Sequence, residues 1–145
     1  MTNDTRFSIL CQSISSAGAR RLVEAAITHA EASGWRIAVA VVDVAGHVVA
    51  LARMDGATAA IADFALDKAY TAAMTRKTSI AFFERMSSSA ELTMGLANRA
   101  RLLCWEGGAP IKDADVTIGG IGVSGATGPE DAECAAAALA QLGLH

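Results

Sequence analysis

The stretch IGGIGVSGATGPEDAE, from Ile118 to Glu133, sets Gly120, Gly122 and Gly125 in the spacing G-x-G-x-x-G. An apolar run precedes it and an alanine-rich helix follows. In a dinucleotide-binding unit such glycines bring a backbone turn against a pyrophosphate at a helix N-terminus. That chemistry also needs a second strand beyond the helix and an acid about 20 residues on to hold the ribose. The residues after this helix run only to His145, so neither NAD nor FAD is expected to bind. Glu130, Asp131 and Glu133 complement the helix dipole and compete with any phosphate there. The stretch reads better as a helix start. Thr127 and Glu130 form T-x-x-E, a capping box, and Pro129 sits in the first turn, where its missing N–H does no harm. The glycines let another backbone or a flat ligand come close.

A second set of groups lies in DKAYTAAMTRKTS. Lys68, Thr71 and Thr75 recur at helical spacing, with Arg76 and Thr78 just beyond. A cation and hydroxyls on one stripe suit a carboxylate; they suit a polar helix face or a subunit contact equally well. Gly107 and Gly108 precede Pro110, as a turn requiring positive φ would, with a ligand pocket as the alternative. Ser124 lies in a glycine-rich turn but lacks the G-x-S-x-G of a nucleophile elbow. Asp43 and Arg53 flank a hairpin and are expected to pair across it, and His47 reads as a turn-edge residue. Cys11, Cys104 and Cys134 are odd in number and widely spaced, with no C-x-x-C. They read as reduced thiols acting as small apolar residues.

The frame that must position these groups has 145 residues, of which 52% are hydrophobic and 19% charged, enough for a single domain with its own core. A net charge of −3 with no basic run argues against nucleic acid and anionic membrane as partners. Aromatic residues, at 5%, are too few for a base-stacking surface. No stretch approaches the roughly 20 apolar residues of a membrane span, and MTNDTRFSILCQSISS lacks the order of a signal peptide. The expected location is cytoplasmic.

Apolar periodicity predicts a first helix over Ala17 to Ser33, ended by Gly34. The strand Ile37 to Val42 is apolar on both faces and should be covered on both. The turn in DVAG leads to a partner strand, His47 to Met54. Helix is predicted through ATAAIADFALDKAYTAAMTRKTS, then near Ile80 to Met86 and Ala90 to Asn98. RLLCWEGGAPIKDADVTIGGIGVSG reads as three short strands, with turns at Gly107-Gly108 and Asp113-Ala114-Asp115. A last helix is predicted from Pro129 to Leu142. Strands in consecutive groups favour an α+β fold with an antiparallel sheet over a doubly wound one. The small side chains of Ala59 to Ala73 and Ala135 to Ala140 suit close packing. Some of that surface is expected between subunits of a homo-oligomer of even number.

Four segments in order, VAVVDVAGHVVALARMDGA (Val39 to Ala57), DKAYTAAMTRKTS (Asp67 to Ser79), EGGAPI (Glu106 to Ile111) and IGGIGVSGATGPEDAECAAAAL (Ile118 to Leu139), resemble the GlcG/HbpS family. Its haem-degrading or HbpS-like domain also forms the C-terminal part of PduO-type proteins. The resemblance covers nearly the whole chain. It implies a profilin-like, five-stranded antiparallel sheet with helices on both faces, assembled as a homo-oligomer. It implies binding of haem or a related tetrapyrrole, with a role in haem breakdown for some members. His29 matches a first-helix histidine that contacts haem iron in some of them, and a neutral imidazole is a competent axial ligand. Lys68, Thr71, Arg76 and Thr78 would then face a propionate. The alternative is a small catabolic enzyme, a lyase or isomerase acting on an organic or aromatic acid, with Lys68, Arg76 and His29 as binding and acid–base groups.

Overall fold

β1 (Ala38–Asp43) lies in the interior of the sheet because its side chains are apolar in both directions. The computed structural model describes residues 7–145. Around β1 the chain runs α1 (Ser16–Ser33), β1, β2 (Val48–Arg53), α2 (Ala59–Thr75), α3 (Ser79–Met86), α4 (Ala90–Leu96), β3 (Gly108–Asp113), β4 (Val116–Ser124) and α5 (Gly128–Gln141). The sheet order is β2-β1-β4-β3, antiparallel throughout. Val39 and Val41 join Ile111, Ile121 and Val123 in a core with α1 and α5. Ala38, Ala40 and Val42 face the other way, onto Ala65, Ala69 and Ala73 of α2. Helices therefore cover both faces, as the α+β reading expects.

The sheet has four strands, not the five expected. The first of the three strands predicted in RLLCWEGGAPIKDADVTIGGIGVSG does not form. Arg101 takes φ 71° and Gly107 φ 129°, conformations that no strand continues through. Between them, the Leu103 N–H donates to Thr71 Oγ1 at 2.8 Å, and Thr71 Oγ1 lies 3.3 Å from the Arg101 carbonyl oxygen. A helix side chain thus takes up backbone groups that a ladder would have used. Gly107-Gly108 consequently joins no two strands; Gly108 opens β3. The turn at Ala114 and Asp115 does link β3 to β4.

The glycines of β4 serve packing. Gly122 sits opposite Ala40 and Gly108, and Gly120 opposite Val42 and Pro110. A Cβ on Gly122 would run into the Ala65 carbonyl oxygen, and one on Gly120 into that of Ala69. Here the G-x-G spacing brings the backbone of α2 onto the sheet. Half of the alanines in the two small-residue stretches are likewise used inside the chain: Ala65, Ala69, Ala72 and Ala73 of α2, and Ala135 and Ala138 of α5, are buried.

In the β1–β2 turn, Asp43 Oδ1 accepts from the N–H groups of Ala45 (2.9 Å) and His47 (3.0 Å). The expected Asp43–Arg53 pair does not form, because the register sets Arg53 opposite Ala38, at the far end of the hairpin. His47 stays exposed beside the turn. Among the described residues no helix is long and apolar enough to cross a membrane.

Candidate functional site

Helix α5 starts as its sequence dictates. Thr127 Oγ1 accepts from the Glu130 N–H, and Glu130 Oε2 accepts from the Thr127 N–H at 2.9 Å. This cap orients two further carboxylates, Asp131 and Glu133. Two residues apart, they sit on different sides of the helix, and each meets a cationic or titratable partner from another helix.

Asp131 meets Lys68 of α2. Both side chains are 3% exposed. Lys68 Nζ donates to Asp131 Oδ2 at 3.1 Å, to the Val123 carbonyl at 2.9 Å and to Ser124 Oγ at 3.4 Å. The Ala126 N–H donates to Asp131 Oδ1 at 3.0 Å. Gly107 makes room for this: a Cβ there would lie 3.0 Å from Lys68 Nζ and 2.9 Å from Asp131 Cβ. Burial lowers the Lys68 pKa and raises that of Asp131, each offset in part by the other's charge. An ammonium has three hydrogens, and all three have acceptors inside the protein. Lys68 ties α2, the end of β4 and the start of α5 together.

Above this pair opens a cleft of about 710 Å³. Its walls are Ile61, Ile80, Phe83 and Trp105, with Glu106 and Cys104 beside them and Ser124 at the floor. Trp105 packs edge-on against Phe64, ring centres 4.9 Å apart. Phe83 and Trp105 remain about half exposed. Burial raises the Cys104 thiol pKa.

Glu133 meets His29 of α1. His29 Nε2 lies 3.5 Å from Glu133 Oε2, with side-chain exposures of 32% and 61%. The imidazole stands 5.8 Å from the Trp35 indole at 59°. Trp35 also lines a hollow of about 530 Å³, with Arg36, Arg53, Met54, Ile27 and Glu31. Arg36 Nη1 donates to the Asp55 carbonyl at 2.9 Å.

The residues singled out in the sequence thus fall in separate places. Lys68, Ser124, Gly107 and Gly108 gather at one end of the sheet, where the Gly108 N–H donates to Ser79 Oγ at 2.8 Å. Thr71 and Thr75 turn their hydroxyls back to the carbonyls four residues earlier, at 2.8 and 2.7 Å. Arg76 caps α2 with φ 56° and borders a different hollow, with Lys112 and Asp115. Thr78 caps α3, its hydroxyl accepting from the Ala81 N–H. His29 is on the α1–α5 side. Lys68, Arg76 and His29, the three groups of the catabolic reading, are not brought together. Sequence reasoning missed Trp35, Trp105 and Glu106. It placed Asp131 only as a helix-start acid; its partner is 63 residues away, and no local pattern marks that pairing.

The family model for "Haem degrading protein HbpS-like" matches residues 14–140. The chain belongs to the HbpS-like family. Protein GlcG of Escherichia coli K12 is 36% identical over 116 residues, 80% of this chain and 81% of that protein. The crystal structure of HbpS superposes with a TM-score of 0.86 at 28% identity, covering 94% of each chain. That of a PduOC–haem complex gives a TM-score of 0.83 at 22% identity, covering 92% of this chain and 97% of that one; it shares the fold. Within the HbpS-like frame α1 and α5 lie side by side on one face of the sheet, so the His29–Glu133 contact joins neighbours.

Proposed function

We propose that this HbpS-like chain binds haem or a related tetrapyrrole on its α1–α5 face, with His29 as the iron ligand, and takes part in haem turnover. One observation carries the reading: a partly exposed imidazole backed by a carboxylate and flanked by an indole. A porphyrin brings four of the iron's ligands itself, so one neutral imidazole completes the attachment. A carboxylate behind the ring selects the tautomer and fixes the ring's orientation. Arg36 and Arg53, in the hollow beside Trp35, are cations suited to propionates. Lys68 is left out of that role because its hydrogens are occupied within the fold. The family description supports the reading, and the PduOC structure described with haem has the same fold. The iron supplies redox and oxygen chemistry when haem is bound. The protein's part is to ligate, orient and partly shield it.

The test is a haemin titration followed by Soret absorbance. Wild type should show saturable binding with a shifted band. His29→Ala should alter the band, and Arg53→Ala should weaken affinity with the band unchanged. The absence of saturable binding in wild type, or an unaltered band and affinity in His29→Ala, overturns the proposal.

A further inference from the structure

Residues 7–13 form an arm without helix or strand. Its Phe7, Ile9 and Leu10, three large apolar side chains in four residues, are almost wholly exposed. Among the described residues, the arm's hydrogen bonds to the fold lie at its base. There the Ile14 N–H donates to the Ile118 carbonyl at 2.8 Å, and Ser13 Oγ accepts from the Val44 N–H at 3.1 Å. This base sits where β1 ends and β4 begins. The cleft with Phe83 and Trp105 opens at the other end of β4, by Ser124, about 20 Å along the strand. One copy therefore carries two unmatched apolar surfaces, an arm and a cleft, at opposite ends of the sheet. Scattered apolar residues on a surface need no explanation, but contiguous groups do.

We propose that Phe7 to Cys11 of one copy dock in the cleft of a second copy, against Ile61, Ile80, Phe83 and Trp105. Both surfaces belong to the same chain, so a second copy always supplies what the first lacks. Reciprocal exchange closes two copies about a two-fold axis and leaves neither surface open, whereas one-way exchange would build filaments. The arm carries an exposed thiol, Cys11, and the cleft wall carries another, Cys104. Exchange brings the two together between copies. The contact lies apart from the His29 face and does not rest on the haem reading.

The variant F7S/I9S/L10S removes only side chains that one copy leaves in solvent, and circular dichroism will verify its fold. Sedimentation of wild type at micromolar concentration should give a dimer or an even multiple. In the variant the dissociation constant should rise about tenfold or more per residue, and Trp105 emission should shift to the red. Diamide, which takes up the two electrons and two protons of disulfide formation, should yield a covalent dimer on a non-reducing gel. Cys11→Ser and Cys104→Ser should each abolish it. A monomeric wild type, an unchanged mass in the variant, or a cross-link that survives Cys104→Ser overturns the proposal.

Discussion

The two contacts that α5 makes through Asp131 and Glu133 use the same chemistry to different ends. Asp131 and Lys68 are both buried, 3.1 Å apart, and every remaining donor of the lysine is engaged. Glu133 and His29 are open to solvent and 3.5 Å apart. A buried charge without its partner is costly, so the first contact holds helices in place. A solvated pair contributes little, so the second leaves its imidazole available for another ligand. Burial, more than residue type, separates the structural pair from the candidate ligand-binding one.

The largest expected effect tests the buried side. Lys68→Met strands Asp131 and should cost about 3–5 kcal/mol in urea unfolding. Lys68→Met with Asp131→Leu should be less destabilised than Lys68→Met alone. A loss below about 1 kcal/mol for the single variant would place both contacts in one class and break the comparison.

Next comes Cys134, which follows Glu133 on α5 and is fully buried. Its thiol donates to the Ala26 carbonyl at 3.1 Å. Burial, with the charges of Asp131 and Glu133, raises its pKa from 9.0 to about 12. The folded-state value is the higher, so this contribution is whole below pH 9 and is lost as pH rises towards 12. The loss should reach about 4 kcal/mol at most, at 1.36 kcal/mol per unit. Cys134→Ala should flatten that alkaline slope, read from urea midpoints across the range. Equal slopes would show that the interior of α5 admits the thiolate.

The smallest effect on stability belongs to the solvated side. Glu133→Gln should change unfolding free energy by less than about 1 kcal/mol. If the carboxylate orients His29 toward iron, the same change should weaken haem binding by about 10–100-fold. A large stability loss with unaltered haemin affinity would reverse the roles assigned to the two contacts.

Much of the frame was legible in the sequence. The helix over Ala17 to Ser33 forms as α1 from Ser16 to Ser33, with Gly34 at φ 75° as its cap. The Thr127–Glu130 capping box is present. β1 is covered on both faces, as its unbroken apolar pattern requires. The strand expected after Arg101 was misread because its apolar residues look like β. What decides that segment is a hydroxyl of α2, Thr71, which is 32 residues from Leu103. The Asp43–Arg53 pairing failed for a related reason: both residues flank the hairpin in sequence, but register sets them at opposite ends.

The site was less legible. Lys68 was singled out as a ligand contact because it lies on a polar helical stripe. The fold turns it inward to Asp131, with Gly107 giving it room.

By itself the sequence determined element types and ends, because periodicity, caps and turns act within a few residues. It also showed that Gly120 and Gly122 leave room for another backbone or a flat ligand to come close. Only the tertiary structure decided that the approaching body is the backbone of α2, that Asp131 takes Lys68 and that Glu133 takes His29. Those outcomes depend on which distant segments exclude water from a group. Desolvation is a property of the packed whole, not of any local run of residues.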